Sequence, residues 1–427
     1  MPDAVDVAVI GGGVIGIAAA WYLLERGFSV LVCDKGRVAG EQSSRNWGWV
    51  RVTGRDPDEV PIAIDSLRCW EAISKTLPEP TGFTRQGIIA LAATEGELDE
   101  YAQWLDVAKA HGLDSVVLNT NEVKKHLRLD HRGWKGALYT PSDARAEPFL
   151  AVPALARGVQ ARGGIIREYC AVRTIEQQAG RVSSVVTEAG EVSVSAAILA
   201  GGVWSSLFLN NMGIRFPQLG VRGTVLRTHA APDIFPGALG LHDLFLRRRQ
   251  DGGYTVATGI TEHCVGWSSV RFGREFRHSL GSASELALGL GKDVTQRGLL
   301  SGGWQGDQVS VFEKHRVLDP TPSKKGIETI QRRLRQRAPE LADLGVAQAW
   351  AGMIDATPDV VPVMDAIDTV PGLFLATGFS GHGFGIGPGA GKVMAAMVAG
   401  DSVDYDLSRF RFNRFADGSP IRPGPAI

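Results

Sequence analysis

The sequence contains little cysteine and lacks the spacings by which cysteine and histidine usually bind metal ions. Its four cysteines, Cys33, Cys69, Cys170 and Cys264, are far apart and form no Cys-x-x-Cys pair. The nine histidines form neither a His-x-His nor a His-x-x-x-His pair. These absences argue against a disulfide framework and a zinc site, so we expect no metal ion and a reducing, cytoplasmic location.

The sequence also lacks an excess of charge of either sign. It has 45 lysines and arginines against 46 aspartates and glutamates, which gives a net charge of −1. Such a chain has no long-range field that would attract nucleic acid or an anionic membrane, so we expect small-molecule partners. The length of 427 residues exceeds one typical domain and favours two.

An uninterrupted membrane span is missing as well. Residues 7–24 carry no charge and approach the minimum length that crosses a bilayer. However, three consecutive glycines, Gly11 to Gly13, interrupt this stretch, and Asp3 and Asp6 precede it without a basic flank. The segment is therefore predicted to be neither a transmembrane helix nor a signal peptide.

The same stretch contains the most informative motif of the chain. An apolar strand at residues 7–10 leads into Gly11-Gly12-Gly13-Val14-Ile15-Gly16 and a predicted helix. In a dinucleotide-binding turn, Gly11 would supply the backbone freedom, Gly13 the close approach to a pyrophosphate, and Gly16 the helix-strand packing. The pyrophosphate would lie at the helix N-terminus, where free N–H groups and the helix dipole favour an anion.

An acidic residue stands at the expected distance from this motif. Asp34 ends the next apolar run, residues 29–33, and Lys35 follows it. A carboxylate at this position accepts hydrogen bonds from a ribose with a free 2′-hydroxyl. Strand, glycines, helix and acid together predict a dinucleotide site.

A second glycine-rich element lies near the end of the chain. Residues 373–377 are a predicted strand, residues 378–387 a loop and residues 388–399 a helix, with Pro388 at the first helical position. The glycines would let the backbone approach a flat ligand, and the helix N-terminus would direct positive partial charge at it. The loop at residues 43–51, rich in aromatic residues, glycine and arginine, is also expected to line a site.

The remaining periodicity gives a coarse order of elements. Helices are predicted at residues 56–77, 95–111 and 148–162, and a strand at residues 82–91. Three strands are predicted across 165–176, 181–187 and 192–199, followed by a strand-rich region at 218–318 with a hairpin turn at 247–253. The basic run at 331–337 is interpreted as the solvated face of a helix, and the tail after Tyr405 as peripheral.

Four segments together resemble a known family. Residues 9–16, 200–205, 350–359 and 378–383 are similar to motifs of the FAD-dependent D-amino-acid oxidase superfamily, particularly its glycine oxidase and sarcosine oxidase branch. The resemblance implies an α/β fold, with a Rossmann-like FAD-binding domain and an α+β substrate domain, built on a mixed β-sheet and inserted in two segments. The FAD domain would comprise residues 1–80, 141–217 and 345–427, and the substrate domain residues 81–140 and 218–344.

The resemblance also assigns residues to FAD. The ADP half would be held by Gly11, Gly13, Val14, Ile15, Gly16, Asp34 and Lys35. The phosphates and flavin would be approached by Ser43, Ser44, Arg45, Asn46, Trp47, Gly48, Gly201, Trp204, Gly381, His382, Gly383 and Phe384. Monomeric sarcosine oxidases attach their flavin to a cysteine where this chain has Gly352, so we expect noncovalent FAD.

The substrate site departs from the family pattern. Glycine oxidases have a carboxylate-binding arginine where this chain has Ile354, and sarcosine oxidases have a lysine where it has Gly385. The alternative anion ligand is Arg51 or Arg45; Arg51 would otherwise be a surface arginine paired with Asp56 or Asp58. Trp49, like Trp47, would wall the flavin, cage an ammonium group or serve as core. His382 would polarise the flavin edge or the amine, or only hydrogen-bond its own loop.

The function implied is oxidation of a C–N bond of a small primary or secondary amine. The substrate would be an amino acid, an N-substituted amino acid or an aminoalkylphosphonate, oxidised by hydride transfer to flavin N5 to an imine that water hydrolyses. Dioxygen or a quinone would accept the electrons. The alternatives are a flavin-dependent 2-hydroxyacid or glycerol-phosphate type dehydrogenase, and a flavin-binding subunit of an electron-transfer complex.

Overall fold

The computed structural model describes residues 1–130, 133–282, 286–290 and 303–424. Two large sheets organise these residues, and helices cover them. The strands of the first half are β1 (Val7–Ile10), β2 (Val30–Cys33), β3 (Trp49–Val50), β4 (Thr84–Arg85), β5 (Ile88–Ala92), β6 (Val116–Asn119), β7 (Gly136–Thr140), β8 (Ala144–Arg145), β9 (Ile165–Arg167), β10 (Val172–Gln178), β11 (Arg181–Thr187), β12 (Gly190–Ser193) and β13 (Ala196–Leu199).

The second half adds strands to both sheets. They are β14 (Leu219–Thr228), β15 (Ala238–Leu241), β16 (Leu244–Arg248), β17 (Tyr254–Val265), β18 (Leu286–Leu290), β19 (Val346–Ala356), β20 (Val363–Ala366) and β21 (Leu373–Thr377). The helices are α1 (Val14–Glu25), α2 (Gln42–Arg45), α3 (Val60–Thr76), α4 (Glu95–Ala110), α5 (Thr120–His126), α6 (Pro148–Ala161), α7 (Ser205–Asn211), α8 (Trp267–Ser282), α9 (Val311–Lys314), α10 (Lys324–Arg337) and α11 (Gly383–Ala399).

The first sheet has the strand order β20-β21-β13-β1-β2-β9 among the described residues. Its strands are parallel except β20, which pairs antiparallel with β21. Every residue of β1, β2 and β13 is buried, as expected for parallel strands covered on both faces. Helix α1 packs against α11, where a Cβ on Gly391 would lie 2.5 Å from the carbonyl carbon of Ala18.

The second large sheet is mixed. Its order is β19-β14-β17-β16-β15-β5-β7-β6, and β18 runs parallel beside β17. The strands are otherwise antiparallel apart from the β5–β15 pair. Strand β19 pairs along β14 from Leu219↔Ala356 to Thr228↔Val346, so it belongs to this sheet although residues 345–427 were assigned to the FAD domain.

Several local predictions differ from the structure because neighbouring segments join different sheets. The three strands predicted across residues 165–199 are five. Tyr169, with a φ of +50°, turns the chain between β9 in the first large sheet and β10 in a separate three-stranded sheet, β10-β11-β12. The predicted strand at 82–91 is broken into β4 and β5, and the helix predicted to begin at residue 56 begins at Val60.

The region predicted to be strand-rich, residues 218–318, contains the long helix α8. Phe272 and Phe276, four residues apart, bury one face of α8 against Leu219 and Ala356. The hairpin turn predicted at residues 247–253 is confirmed, because it joins β16 to β17. Residues 283–285 and 291–302 of the region lie outside the described residues.

The prediction that the tail after Tyr405 is peripheral was wrong. Phe410 is fully buried, and the buried Arg414 forms a bidentate ion pair with the buried Asp359, at 2.8 Å from Nε to Oδ2 and 3.0 Å from Nη2 to Oδ1. Arg414 also donates to the carbonyl of Val361. The tail is thus bound to the segment between β19 and β20. This contact joins residues that are far apart in the sequence, so no local pattern predicts it.

Candidate cofactor cleft and adjoining polar cluster

A deep cleft opens at the carboxyl ends of β1, β2 and β13. Its empty volume is about 1240 Å³ including its open mouth, which suits a ligand of cofactor size. Many of the predicted cofactor residues line it, namely Gly11, Gly13, Val14, Ile15, Asp34, Lys35, Ser43, Asn46, Gly201, Trp204, Gly381, Gly383 and Phe384. Six others do not: Gly16, Ser44, Arg45, Trp47, Gly48 and His382.

The glycine-rich turn forms the floor of the cleft. Gly11 has a φ of +115°, and a Cβ there would lie 2.4 Å from the carbonyl oxygen of Ala200. A Cβ on Gly16 would lie 2.0 Å from the carbonyl oxygen of Gly11, so only glycine lets α1 approach β1 this closely. At the N-terminus of α1, Val14 N–H donates to Ser43 Oγ at 2.9 Å.

Asp34 holds the end of β2 against this turn. Its Oδ2 accepts from Gly12 N at 2.7 Å and its Oδ1 from Gly36 N at 2.7 Å. Burial raises the pKa of the Asp34 carboxyl above its ordinary value, although the two N–H groups oppose that shift. The carboxylate keeps further lone pairs that would accept from the ribose hydroxyls of a bound dinucleotide.

We expect Asp34→Ala to weaken FAD binding by ~1–3 kcal/mol, or roughly 5- to 150-fold in Kd, because ribose hydroxyls and two backbone N–H groups lose their acceptor. Titration of the apoprotein with FAD, followed by flavin fluorescence, measures this. The matched control is Asp99→Ala, an exposed aspartate on α4. Equal FAD affinity in both variants would contradict the assignment of Asp34.

Lys35 and Trp204 are joined through Glu41, which the sequence analysis missed. Lys35 Nζ donates to Glu41 Oε1 at 2.6 Å and lies 4.2 Å from the centre of the Trp204 ring. The indole N–H of Trp204 donates to Glu41 Oε2 at 3.0 Å. Glu41 thereby fixes two cleft-lining side chains that lie against each other.

Arg45 points away from the cleft. Its Nη1 donates to Leu318 O at 2.6 Å and its Nη2 to Gly40 O at 3.0 Å, and it also pairs with Asp319 at 3.2 Å. The guanidinium thus connects α2 to the segment before α10. Asn46 lines the cleft and accepts from Gly48 N through Oδ1 at 2.8 Å, so it shapes the turn that follows.

The second glycine-rich loop closes the cleft from the other side. Gly378 and Gly381 have φ values of +74° and +84°, and the backbone of Ser380 is also left-handed at +47°. Asp355 Oδ2 accepts from Gly378 N at 2.7 Å and from Phe379 N at 3.3 Å. Helix α11 begins at Gly383, so the prediction that Pro388 occupies the first helical position was wrong; the proline lies inside the first turns.

Asp355 is a buried carboxyl in the cleft wall, and burial raises its pKa to about 6 from an ordinary 3.8. Between these values the folded protein binds the proton better than the unfolded chain, so this group's contribution to stability falls as pH rises through the window. As the pH rises from about 4 to about 7, the native protein should lose stability that the Asp355→Asn variant keeps. We therefore expect the free energy of unfolding of the variant to increase by ~2–3 kcal/mol relative to that of the native protein over this range. Urea unfolding at each pH tests this, and a pH-independent difference would contradict it.

The two tryptophans of the loop at residues 47–49 pack against each other and against Phe245. Trp47 stacks on Phe245 with ring centres 4.9 Å apart, and Trp49 meets both rings edge-on at 5.9 Å. Because Trp47 and Phe245 cover each other's faces, these two faces do not form a cage for a cation. Gly48 has a φ of +79°, and a Cβ there would lie 2.6 Å from Arg247 Nε.

Arg247 fastens this aromatic loop to the mixed sheet. It is 1% exposed and pairs with Glu147 at 2.8 Å from Nη1 to Oε1 and 3.0 Å from Nη2 to Oε2. Its Nε donates to the carbonyl of Trp47 at 2.6 Å. Neither Arg247 nor Glu147 was a candidate from sequence, since nothing local links positions 147 and 247.

The catalytic candidates Arg51 and His382 meet in one buried polar cluster. Trp49 borders it, with the guanidinium carbon of Arg51 5.8 Å from its ring centre. His382 is buried, and its Nδ1 lies 3.0 Å from Glu59 Oε2. Burial and, after it, Arg55 lower the pKa of His382, so the neutral ring donates through Nδ1 and keeps a lone pair on Nε2.

The family positions that differ in this chain are occupied by uncharged residues. Ile354 is buried in β19 and lies against Gly223, where a Cβ would be 3.5 Å from Ile354 Cδ1. A Cβ on Gly385 would lie 3.2 Å from Trp49 O. At Gly352, a Cβ would lie 2.1 Å from Gln42 Oε1, so the Gln42 side chain fills that space. Asp355 and Tyr254 are buried and hydrogen-bonded to backbone.

Comparison with known proteins identifies a family and several relatives of this chain. The family model described as DAO, FAD dependent oxidoreductase, matches residues 6–397. The chain is 25% identical to glycine oxidase of Bacillus licheniformis over 418 residues, covering 96% of this chain and 97% of that protein. It is 24% identical to mitochondrial sarcosine dehydrogenase of Mus musculus over 429 residues, covering 97% of this chain but 42% of the relative. The chain therefore spans less than half the length of that dehydrogenase.

Two solved structures share the fold of this chain. L-amino acid deaminase from Proteus myxofaciens, in complex with anthranilate, superposes with a TM-score of 0.94 at 30% identity, covering 98% of this chain and 95% of that chain. Glycine oxidase from Geobacillus kaustophilus superposes with a TM-score of 0.78 at 20% identity, covering 97% and 99%, and so shows the fold alone. Within the described part of the chain, no helix has both the length and the apolarity to cross a membrane.

Proposed function

Because the chain belongs to the DAO family of FAD-dependent oxidoreductases, with FAD as cofactor, we propose that it oxidises the C–N bond of an amino acid or related amine to an imine, which water then hydrolyses. Relatives named for acting on glycine, sarcosine and L-amino acids support this reaction class. N-substituted amino acids and aminoalkylphosphonates belong to the same proposal, since they offer the same C–N bond.

The observation that carries the proposal is the fit of the cleft to a dinucleotide. The cradle at Gly11 and Gly16 has no room for a Cβ, the N-terminus of α1 opens beside it, and Asp34 stands at the end of β2. A pyrophosphate would bind at the helix N-terminus and a ribose at the carboxylate. When bound, FAD would supply the two-electron acceptor for the amine.

The chain's own residues would bind and orient the substrate. Asp355 fixes the backbone of the 378–380 loop at the cleft wall through two accepted N–H bonds. His382 is buried between Gly381 and Gly383, which line the cleft, and its Nε2 has no partner among the described residues; the neutral ring would accept a hydrogen bond from an amine N–H that reaches this atom. Arg51 would hold a substrate anion, because Ile354 and Gly385 offer no charge. Correct placement lets a neutral amine react without a strong protein base.

The absence of the family's anion ligands bears on the choice of substrate. An anion brought next to the buried Ile354 would remain unpaired, at a cost of several kcal/mol. We therefore expect glycine and sarcosine to reduce the flavin poorly compared with aminoalkylphosphonates or longer N-substituted amino acids, whose anion lies further from the oxidised carbon and would reach Arg51.

Anaerobic bleaching of the flavin by a panel of amines and amino acids tests the reaction class, because it reports reduction whatever the acceptor. The panel should include 2-hydroxyacids and glycerol phosphate. Bleaching by these alcohols and not by amines would replace the proposal with a hydroxyacid or glycerol-phosphate dehydrogenase. Bleaching by nothing in the panel would favour a subunit of an electron-transfer complex. Reoxidation by dioxygen or by a soluble quinone then identifies the acceptor.

We also propose that FAD is bound noncovalently, since Gly352 replaces the flavin-linking cysteine and Gln42 Oε1 fills the space beside it. Acid precipitation of the yellow protein is expected to leave the flavin in the supernatant. A coloured pellet after washing would contradict this. Flavin absorbance of the two fractions gives the ratio directly.

A further inference from the structure

Two cysteines that are far apart in the sequence meet at one wall of the cofactor cleft. Cys33 is the last residue of β2 and lines the cleft, and Cys170 lies between β9 and β10. The thiol of Cys33 donates a hydrogen bond to the sulfur of Cys170. The backbone N–H of Cys170 also donates to the carbonyl of Asp34 at 2.8 Å. Backbone and side chains therefore both hold the two cysteines together.

A turn after β9 brings Cys170 to this position. Asp34 N–H donates to Arg167 O at 2.9 Å, and Tyr169 N–H donates to Gly36 O at 2.5 Å. Tyr169 has a φ of +50°, which reverses the chain just before Cys170. The segment that carries Cys170 thus follows the end of β2 closely. Disulfide formation would bring the two sulfur atoms from hydrogen-bonding distance to about 2.05 Å.

Cys170 has the surroundings of a reactive thiolate. The hydrogen bond from Cys33 lowers the pKa of Cys170 to about 7, although burial opposes this shift, and the hydroxyl of Thr187 also donates to its sulfur. The charge of Arg167 favours the thiolate as well, whereas that of Glu188 disfavours it. The thiolate is the form that reacts with peroxides. A substantial fraction of Cys170 is therefore in the reactive form at neutral pH.

Access to the pair depends on the cleft. Cys33 and Cys170 are 3% and 4% exposed, so the surrounding protein covers them on most sides. The cleft wall beside them continues through Ala171 and Val172. A dinucleotide bound at Asp34 would cover this wall, because Asp34 follows Cys33 directly. The pair is thus shielded while the cofactor is bound and reachable from the cleft after it has left.

From this arrangement we propose that Cys33 and Cys170 are a modification site, a dithiol that hydrogen peroxide oxidises to a disulfide when FAD has dissociated, and that the disulfide weakens FAD binding. The Cys170 thiolate attacks one peroxide oxygen, which breaks the O–O bond, releases hydroxide and leaves a sulfenic acid. The Cys33 sulfur then attacks the sulfenic sulfur, and the thiol proton leaves with the displaced oxygen as water. Two thiols are oxidised, and one peroxide is reduced to two molecules of water.

The disulfide acts on the cofactor through Asp34. A bond between the two sulfur atoms displaces Cys33 at the end of β2, from which Asp34 reaches Gly12 N and the expected ribose. Because such coupling is reciprocal, bound FAD opposes disulfide formation by the factor with which the disulfide weakens FAD binding. The proposal rests on the proposed function only for the source of the peroxide, which dioxygen yields when it accepts the two electrons taken from the amine.

Peptide mapping tests whether the bond forms. FAD is removed from the holoenzyme by dialysis, and the full chain is incubated with hydrogen peroxide at neutral pH, with or without excess FAD, before alkylation and digestion with trypsin. Cleavage leaves Cys33 in residues 27–35 and Cys170 in residues 168–173, so a linked pair of these peptides identifies the disulfide. We expect the linked pair without FAD, several-fold less of it with excess FAD, and none after dithiothreitol. Oxidation of Cys170 to a sulfinic acid without a linked pair overturns the proposal.

The affinity for FAD, followed by flavin fluorescence, tests the consequence. We expect peroxide to raise the Kd for FAD about 10-fold in the native protein, and dithiothreitol to restore it. Cys170→Ser and Cys33→Ser should each keep the Kd that they have before peroxide. The matched control is Cys69→Ser, at a buried position on α3, which should keep the native response. A disulfide that leaves the Kd unchanged, or a serine variant of the pair that still responds to peroxide, overturns the proposal.

Added peroxide separates this proposal from the proposed function, because it bypasses turnover. A linked pair and a weakened FAD affinity in a protein that no amine bleaches support the dithiol and overturn the function. Bleaching by an amine in a protein that peroxide does not cross-link supports the function and overturns the dithiol.

Discussion

A Gly16→Val variant is expected to lose FAD binding and part of its stability. A Cβ at this position would lie 2.0 Å from the carbonyl oxygen of Gly11 and 3.0 Å from Val9 Cγ1, so α1 would have to move away from β1. That movement opens the turn on which the pyrophosphate would rest and displaces the apolar face of α1. We expect FAD affinity to fall ~100-fold or more and stability by ~2–4 kcal/mol.

Flavin content after purification and urea unfolding of the apoprotein measure the two effects separately. The matched control is Gly96→Val, in a helical glycine of α4 whose added Cβ would have only Thr94 Oγ1 near it, at 3.9 Å. The control should retain full flavin content. A Gly16→Val protein that purifies with a full complement of FAD would contradict the packing described for the turn.

The second large effect concerns Arg247. Replacing Arg247 with methionine leaves Glu147, which is 4% exposed, without its bidentate partner and with only the longer ion pair to Arg145, at 3.9 Å. Breaking such a pair from one side typically costs ~3–5 kcal/mol. Because Arg247 also donates to Trp47 O, the aromatic loop loses its attachment to the mixed sheet. Urea unfolding should show the loss, and the tryptophan emission should shift to longer wavelength.

A double variant distinguishes the lost pair from lost packing. In the double variant Arg247→Met with Glu147→Gln, the carboxylate that lost its bidentate partner is replaced by a neutral amide. We expect this variant to be more stable than Arg247→Met alone. The control is Arg157→Met, which breaks an ion pair with Glu79 at 55% and 41% exposure and should cost less than ~1 kcal/mol. A double variant no more stable than the single one would assign the effect to volume rather than charge.

The glycine-rich turn and Asp34 were predictable because their signal is local. Gly11, Gly16 and Asp34 lie within one strand-turn-helix-strand unit, and their spacing alone reports the contacts that the structure shows between Gly16 and Gly11 and between Asp34 and Gly12. The strand at residues 373–377 was predictable for the same reason, as a short apolar run before glycines.

Neither the polar cluster nor the Arg247–Glu147 ion pair was predictable, because the partners are far apart in the sequence. Glu59 and His382 are separated by 323 positions, and Arg247 and Glu147 by 100, so no window contains either pair. Arg55 gave no signal at all, since an arginine beside a glycine and an aspartate is typical of a surface turn. Arg55 is nevertheless buried in the folded protein.

The ion pair between Arg414 and Asp359 has a consequence for biosynthesis. Strand β1 lies in a sheet whose far edge is built from β21 and β20, which come more than 350 residues later in the chain, and the segment around Arg414 that covers this edge comes later still. The first sheet therefore cannot be completed until residues 363–414 have been synthesised. Until then its earlier strands stay partly exposed, a situation in which chaperones commonly protect apolar strand edges.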